Sequence, residues 1–142
     1  MSSVRCVFDT NTVVSGVLFE RSKPARALLR AIKRGEILLS QSTLEELAEV
    51  LLRSKFDRYV TSSEREEFLE AFVDRATWVE PTEEIRRCRD PKDDKFLELA
   101  IGGNADFVIS GDGDLLALHP FRGISIMTSA EFLTASGEEE EG

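Results

Sequence analysis

The sequence predicts an α/β fold three layers deep, with helices on both faces of a central, mainly parallel sheet of five strands. Three observations predict it. Strand-like and helix-like stretches alternate in the order β-α-α-β-α-α-β-α-β-α-β-α. The first of them, VRCVF at 4–8, is a short apolar run of the kind a strand covered on both faces requires. Acidic residues fall where predicted strands run out, and in an open parallel sheet the carboxyl ends of neighbouring strands converge on the crevice that binds ligands.

After the strand at 4–8, the segment 24–34 places Ala27, Leu28, Ala31 and Ile32 at helical spacing, and Gly35 stops it. A strand follows at 37–40. Three capping boxes then mark helix starts, Ser42 with Glu45, Thr61 with Glu64, and Thr128 with Glu131. Asp90 followed by Pro91 is a fourth start signal, with proline at the first helical position. Runs at 77–79, 107–110 and 124–127 complete the strands. Trp78 and most phenylalanines read as core.

The 142 residues make one ordinary domain, taken as 1–136, followed by an acidic, disordered tail at 137–142. The hydrophobic fraction of 42% and charged fraction of 32% are those of a globular protein in water. No apolar run has the length of a membrane span, and MSSVRCVFDTN enters a strand too early for a signal peptide, so a cytoplasmic location is expected. Cys6 and Cys88 have no metal-ligand spacing; Cys6 reads as a small core residue. The net charge of −9 argues at first against a nucleic-acid partner. Yet four of those charges are the tail Glu138, Glu139, Glu140 and Glu141, and four more are candidate site acids that a bound cation would offset.

Asp9 directly follows the first strand, where it serves either as a helix cap or as a site acid. Glu46 is left free if Glu45 completes a capping box with Ser42. In DPKDD, Asp93 is third after Asp90 and suits a capping role, whereas Asp94, three residues before Leu97, faces the helix's buried side. Asp94 is thus the preferred candidate, with Asp93 the alternative. In SGDGD, Asp112 lies nearest the strand end and Asp114 can act through water. Carboxylates brought together repel unless a cation joins them, and an all-oxygen set suits Mg²⁺ or Mn²⁺.

FDTN at 8–11, SQSTLEELAEVLL at 40–52, DPKDDKFLELA at 90–100, ADFVISGDGDLL at 105–116 and AEFL at 130–133 together resemble PIN-domain ribonucleases, and among them VapC-like toxins of toxin–antitoxin systems. The resemblance implies a PIN-like α/β/α fold with Asp9, Glu46, Asp94 and Asp112 as catalytic acids and metal ligands. It also implies Asn11 and Ser110 as supporting polar residues. The activity it implies is Mg²⁺- or Mn²⁺-dependent cleavage of RNA by metal-activated water, with a second ion about 4 Å away where two are used. A homodimer restrained by an antitoxin protein is the implied assembly, for which Phe68, Leu69 and Phe72 are a candidate contact, or else a face packed on the sheet.

Arg26, Arg30 and Lys33 recur on one helical face and are candidates for RNA phosphate contact, or equally a solvated basic face. His119, before Pro120, reads as a turn residue. Two rival readings are a haloacid-dehalogenase-like phosphatase, which needs an acid where Asn11 stands, and a catalytically inactive PIN interaction module.

Overall fold

The computed structural model describes residues 3–137. Five parallel strands, β1 (Val4–Phe8), β2 (Gly35–Leu39), β3 (Thr77–Trp78), β4 (Phe107–Ile109) and β5 (Ser125–Met127), form one sheet in the order β3-β2-β1-β4-β5. The seven helices are α1 (Thr10–Leu18), α2 (Lys23–Arg34), α3 (Gln41–Leu51), α4 (Ser62–Arg75), α5 (Asp94–Gly102), α6 (Gly113–Leu116) and α7 (Ser129–Ala135). The chain moves outward from β1 through β2 to β3, then returns to the other side of β1 for β4 and β5. That reversal places a topological switch point between β1 and β4, where an open parallel sheet opens a crevice beyond its strands.

Strand side chains divide strictly between two cores. Cys6, Phe8, Ile37, Leu39 and Ile109 join α1, α2, α3, α4 and α7 on one face. Val7, Leu38 and Val108 join α5, α6 and the connector after β3 on the other. This alternation with period two, each set fully covered, is what makes the fold three layers deep. Cys6 is buried in the first core and Cys88 is also a free thiol, so no disulfide contributes.

Local chemistry sets the boundaries. Gly35 ends α2 and begins β2 at once, and a Cβ there would stand 2.4 Å from the Val4 carbonyl oxygen, so only glycine allows this pairing. Thr61 with Glu64 and Thr128 with Glu131 cap α4 and α7 as the sequence suggests. The box expected at Ser42 and Glu45 does not form. Ser40, directly after β2, caps α3 instead, its own N–H donating to Thr43 Oγ1 at 3.0 Å. With the helix begun earlier, Glu45 is exposed and takes a hydrogen bond from Gln41 at 2.8 Å. Asp90 caps a 3-10 turn at Pro91–Asp93 rather than the α-helix itself, which starts at Asp94.

One core expectation is corrected, and one of two alternatives is favoured. Trp78 is 47% exposed, because β3 is a two-residue edge strand with one side unpaired. Phe72 is buried, with Phe68 and Leu69 partly buried against the same core, so packing accounts for much of that face. The loop between α3 and α4 is bolted by Arg65, which is fully buried and donates to the carbonyls of Leu51, Arg53 and Val60 and to Asp57. No helix among the described residues is long and apolar enough to cross a membrane. The acidic tail at 138–142 lies outside the described residues.

Candidate active site

Asp9 follows β1 and caps α1, its Oδ1 accepting the Thr12 N–H at 2.9 Å. Its backbone N–H reaches the Ile109 carbonyl at 3.2 Å, which fixes the end of β1 against the end of β4. The other carboxylate oxygen accepts the hydroxyl of Ser110, the residue after β4. Ser110 Oγ in turn accepts the Asp112 N–H at 2.9 Å. One hydroxyl therefore ties the acid beyond β1 to the acid beyond β4. Asp112 caps α6, accepting the Asp114 N–H at 2.8 Å, so the described contact of Asp114 is through its backbone.

Burial pushes the Asp9 carboxyl above its ordinary range, partly opposed by the hydrogen bonds from Ser110 and Thr12, and the charge of Asp112 adds to the rise. Asp93 stands in the same field. Its pKa is pushed up to about 7 by burial, by the charge of Asp112 and a hydrogen bond with it, and further by Asp90 and Asp9. Asp9, Asp93 and Asp112 thus form one acidic group at the switch point.

Asp94 is placed differently. Its Oδ1 accepts the N–H groups of Arg87 and Cys88 at 3.0 and 2.7 Å. Burial alone would raise its pKa, but those amides outweigh burial and hold it below the usual carboxylate range. Asp94 does face the helix's buried side, and for that reason it meets the preceding loop rather than the crevice. The neighbouring Cys88 thiol is pushed up to about 12 by burial, by its hydrogen bond with Asp94, and by the charges of Asp94, Asp93 and Asp112.

Glu46 comes from α3 with both oxygens engaged: Lys95 Nζ donates to Oε1 at 2.6 Å, and the hydroxyl of Thr10, next to Asp9, donates to Oε2. Sequence reasoning does not single out Thr10 and Lys95. Their only signal is adjacency to Asp9 and Asp94. An open crevice of about 510 Å³ lies alongside, lined by Asp9, Asp112, Asn11, Ser15, Lys23 and Thr128 among others. Gly111 and Gly113 flank Asp112 with nothing within 4 Å of where a Cβ would stand, which leaves this approach open.

The basic face of α2 lies elsewhere. Arg30 is 7% exposed and donates to the Ser136 carbonyl at 2.8 Å. It lines a cavity with Val4, Gly35 and Phe107, at the amino ends of β1, β2 and β4, opposite the acids. Arg30 is therefore a structural cation and not a surface contact, while Arg26 and Lys33 are exposed. His119 accepts the Ile126 N–H at 2.9 Å and belongs to the turn before β5.

Among the described residues, no three His, Cys, Asp or Glu side chains already enclose a metal position. The donor chemistry of Asp9, Asp93 and Asp112 nonetheless fits a hard cation. All donors are oxygens, and burial together with the charge of Asp112 raises Asp93 to about 7, so that it holds a proton near neutrality that a divalent ion would replace. Glu46 joins such a set only by leaving Lys95.

Comparison with known proteins agrees with the fold. A PIN domain family model matches residues 5–114. The uncharacterized protein MJ1680 of Methanocaldococcus jannaschii is 30% identical over 118 residues, 81% of this chain and 75% of the relative. The structure of VapBC2 from Rickettsia felis, bound to a DNA fragment from its promoter, aligns with TM-score 0.56 at 14% identity, covering 87% of this chain and 97% of that one. PAE2754 from Pyrobaculum aerophilum aligns with TM-score 0.60 at 13% identity, covering 94% and 90%.

Proposed function

The chain belongs to the PIN domain family, and from that premise we propose that it is a divalent-metal-dependent endoribonuclease, acting as the toxin of a toxin–antitoxin pair. The observation that carries the reading is the joining of Asp9, Asp93 and Asp112 at the switch point between β1 and β4. PIN domains are generally nucleases, and an acidic crevice whose donors are carboxylate oxygens suits metal-assisted phosphodiester hydrolysis.

Asp9, Asp93 and Asp112 would hold Mg²⁺ or Mn²⁺, with Glu46 as the further ligand once it parts from Lys95. Helix-face spacing favours Asp94 for this place; the loop amides on its carboxylate favour Asp93. When bound, the ion supplies an activated water and positive charge for the leaving oxygen. Ser110 fixes the direction of the Asp9 carboxylate, a supporting role of the kind that tunes metal affinity. Asn11, exposed on the crevice wall, is available to a strand lying there.

The toxin reading is supported by the fold shared with VapBC2 and by exposed apolar surface. Phe19, Leu29 and Tyr59 are 48%, 51% and 52% exposed, and a cluster of apolar side chains on the surface marks a place for a partner. Leu29 and Tyr59 line a groove with Val17, Ile32 and Phe68 that suits an antitoxin segment or a second copy of the chain, and Phe19 packs edge-on against Tyr59 at 5.6 Å. Purified protein incubated with a mixed RNA ladder, with Mn²⁺ and with EDTA, tests the activity. Cleavage only with metal is expected, and equal cleavage in both would refute the metal mechanism.

A further inference from the structure

With Arg30 buried at the far end of the sheet, the grip on a polyanionic strand has to come from other cations. A row of them lies beside the acids. The connector after β3 runs along α5 toward its amino end. It is pinned where the Ile85 N–H donates to Glu98 at 3.0 Å and where Arg87 and Cys88 donate to Asp94. It carries Arg86, Arg87, Arg89 and Lys92, all exposed, and then becomes the turn that bears Asp93.

These cations are not equivalent. Arg86 is turned to Glu84 at 2.6 Å. Arg122, which comes from the loop before β5, is paired with Glu83 at 2.7 Å. Arg87 lies on the Phe121 ring at 5.4 Å with Arg122 beside it at 5.2 Å, so an apolar surface rather than an anion supports its guanidinium. The side chains of Arg89 and Lys92 have no hydrogen bond or ion pair among the described residues. Asp90, the nearby acid, takes the backbone N–H of Lys92 at 3.0 Å. Three cations are thus left uncompensated on one short segment, in a protein of net charge −9 that otherwise repels nucleic acid.

We propose that Arg87, Arg89 and Lys92 hold the phosphodiester backbone of a single-stranded nucleic acid beside the acid group, and that Asp94 is the positioning residue that latches their loop to α5. The inference rests on the nuclease reading above and gives that site its substrate grip. It also explains why two adjacent aspartates do different work. Asp93 faces Asp112, while Asp94 holds the loop that brings the strand.

The test is fluorescence anisotropy of short labelled RNA and DNA strands of one sequence, titrated with the full chain in EDTA over a range of salt. Replacing Arg87, Arg89 and Lys92 together by alanine is expected to weaken binding of both strands at least tenfold at low salt. The salt dependence becomes shallower by about 0.7 in logarithmic slope for each phosphate no longer neutralised. Asp94→Ala is expected to weaken strand binding while leaving Mn²⁺ binding in place, and Asp94→Asn, whose carbonyl still accepts both amides, to restore it. Unchanged affinity and slope in the triple variant would overturn the grip. An effect confined to RNA would overturn contact through phosphate. Loss of Mn²⁺ binding without loss of strand binding in Asp94→Ala would make Asp94 a ligand and not a latch. Because the three cations are exposed, the triple variant keeps the test valid even if Asp94→Ala fails to fold. A strand that binds but is never cleaved with Mn²⁺ refutes the nuclease reading alone, whereas cleavage of dilute RNA undiminished in the triple variant refutes the grip alone.

Discussion

Asp93, in the turn before α5, lies in the field of Asp112, just beyond β4: burial first, then the charge of Asp112 and hydrogen bonding with it, raise the Asp93 carboxyl. With a pKa of about 7, Asp93 keeps its proton well above the ordinary carboxylate range. Its unfolded-state value lies near 4, so between those values the folded chain binds a proton that the unfolded chain has lost. The resulting stabilisation is complete below the unfolded value and fades as pH rises through 7. Melting temperature in EDTA should therefore fall by a few degrees from pH 5 to pH 8. Mn²⁺ at pH 8 should restore it, and Asp93→Asn should flatten the dependence. A metal-free protein whose melting does not change over this range would remove the pairing.

Asp93→Asn should damage catalysis far more than Asp94→Asn. The first removes a charge from the group that includes Asp9 and Asp112, with a loss in metal affinity on the order of a hundredfold or more, judging by what even indirect partners contribute. The second keeps an oxygen for the amides of Arg87 and Cys88 and costs about 1–3 kcal/mol of stability, the difference between a charged and a neutral acceptor. Parallel Mn²⁺ titrations and cleavage rates decide between them, and the opposite order would return the ligand role to Asp94.

How far the sequence could be read depended on whether the inference was about burial or about partners. The order of elements and the parallel sheet followed from periodicity, because each strand's burial is written in its own side chains. That Asp94 faces inward was also legible, and the structure places it at 8% exposure. What it faces was not legible, because the partners are backbone amides of a loop with no periodic pattern. The 3-10 turn at Pro91–Asp93 winds more tightly than an α-helix, so a face counted from Asp90 at α-helical spacing leaves Asp93 misplaced. Arg30 misled for a related reason. The row Arg26, Arg30 and Lys33 marks a helix face correctly, but nothing in α2 itself shows that α7 covers its middle.

Ser110→Ala should cost about 1–3 kcal/mol, because it leaves a buried Asp9 oxygen and the Asp112 N–H without their shared partner. Activity should fall by about tenfold to a hundredfold, the effect expected when a residue that orients a ligand is removed. Thermal melts and initial cleavage rates measure the two effects separately. A variant that loses stability but cleaves at the parental rate would show that the hydroxyl is a structural tie alone.

Glu46→Gln should abolish metal-dependent cleavage, while Glu45→Gln should leave both activity and stability nearly unchanged. Glu45 is exposed and bonded only to the neighbouring Gln41, and such surface substitutions usually lie within about 0.5 kcal/mol. Glu46 is held from two sides, by Lys95 and by Thr10, so its charge is balanced in the absence of metal and its direction is set by α1 and α5. Glutamine keeps the Thr10 hydrogen bond and loses the attraction to Lys95, so the fold should survive and the fault should lie in metal binding. Isothermal titration with Mn²⁺ in the absence of RNA reads that step directly. If Glu46→Gln binds Mn²⁺ as the parent does and still cleaves, Glu46 serves only to anchor Lys95, and the metal is held by Asp9, Asp93 and Asp112 without it.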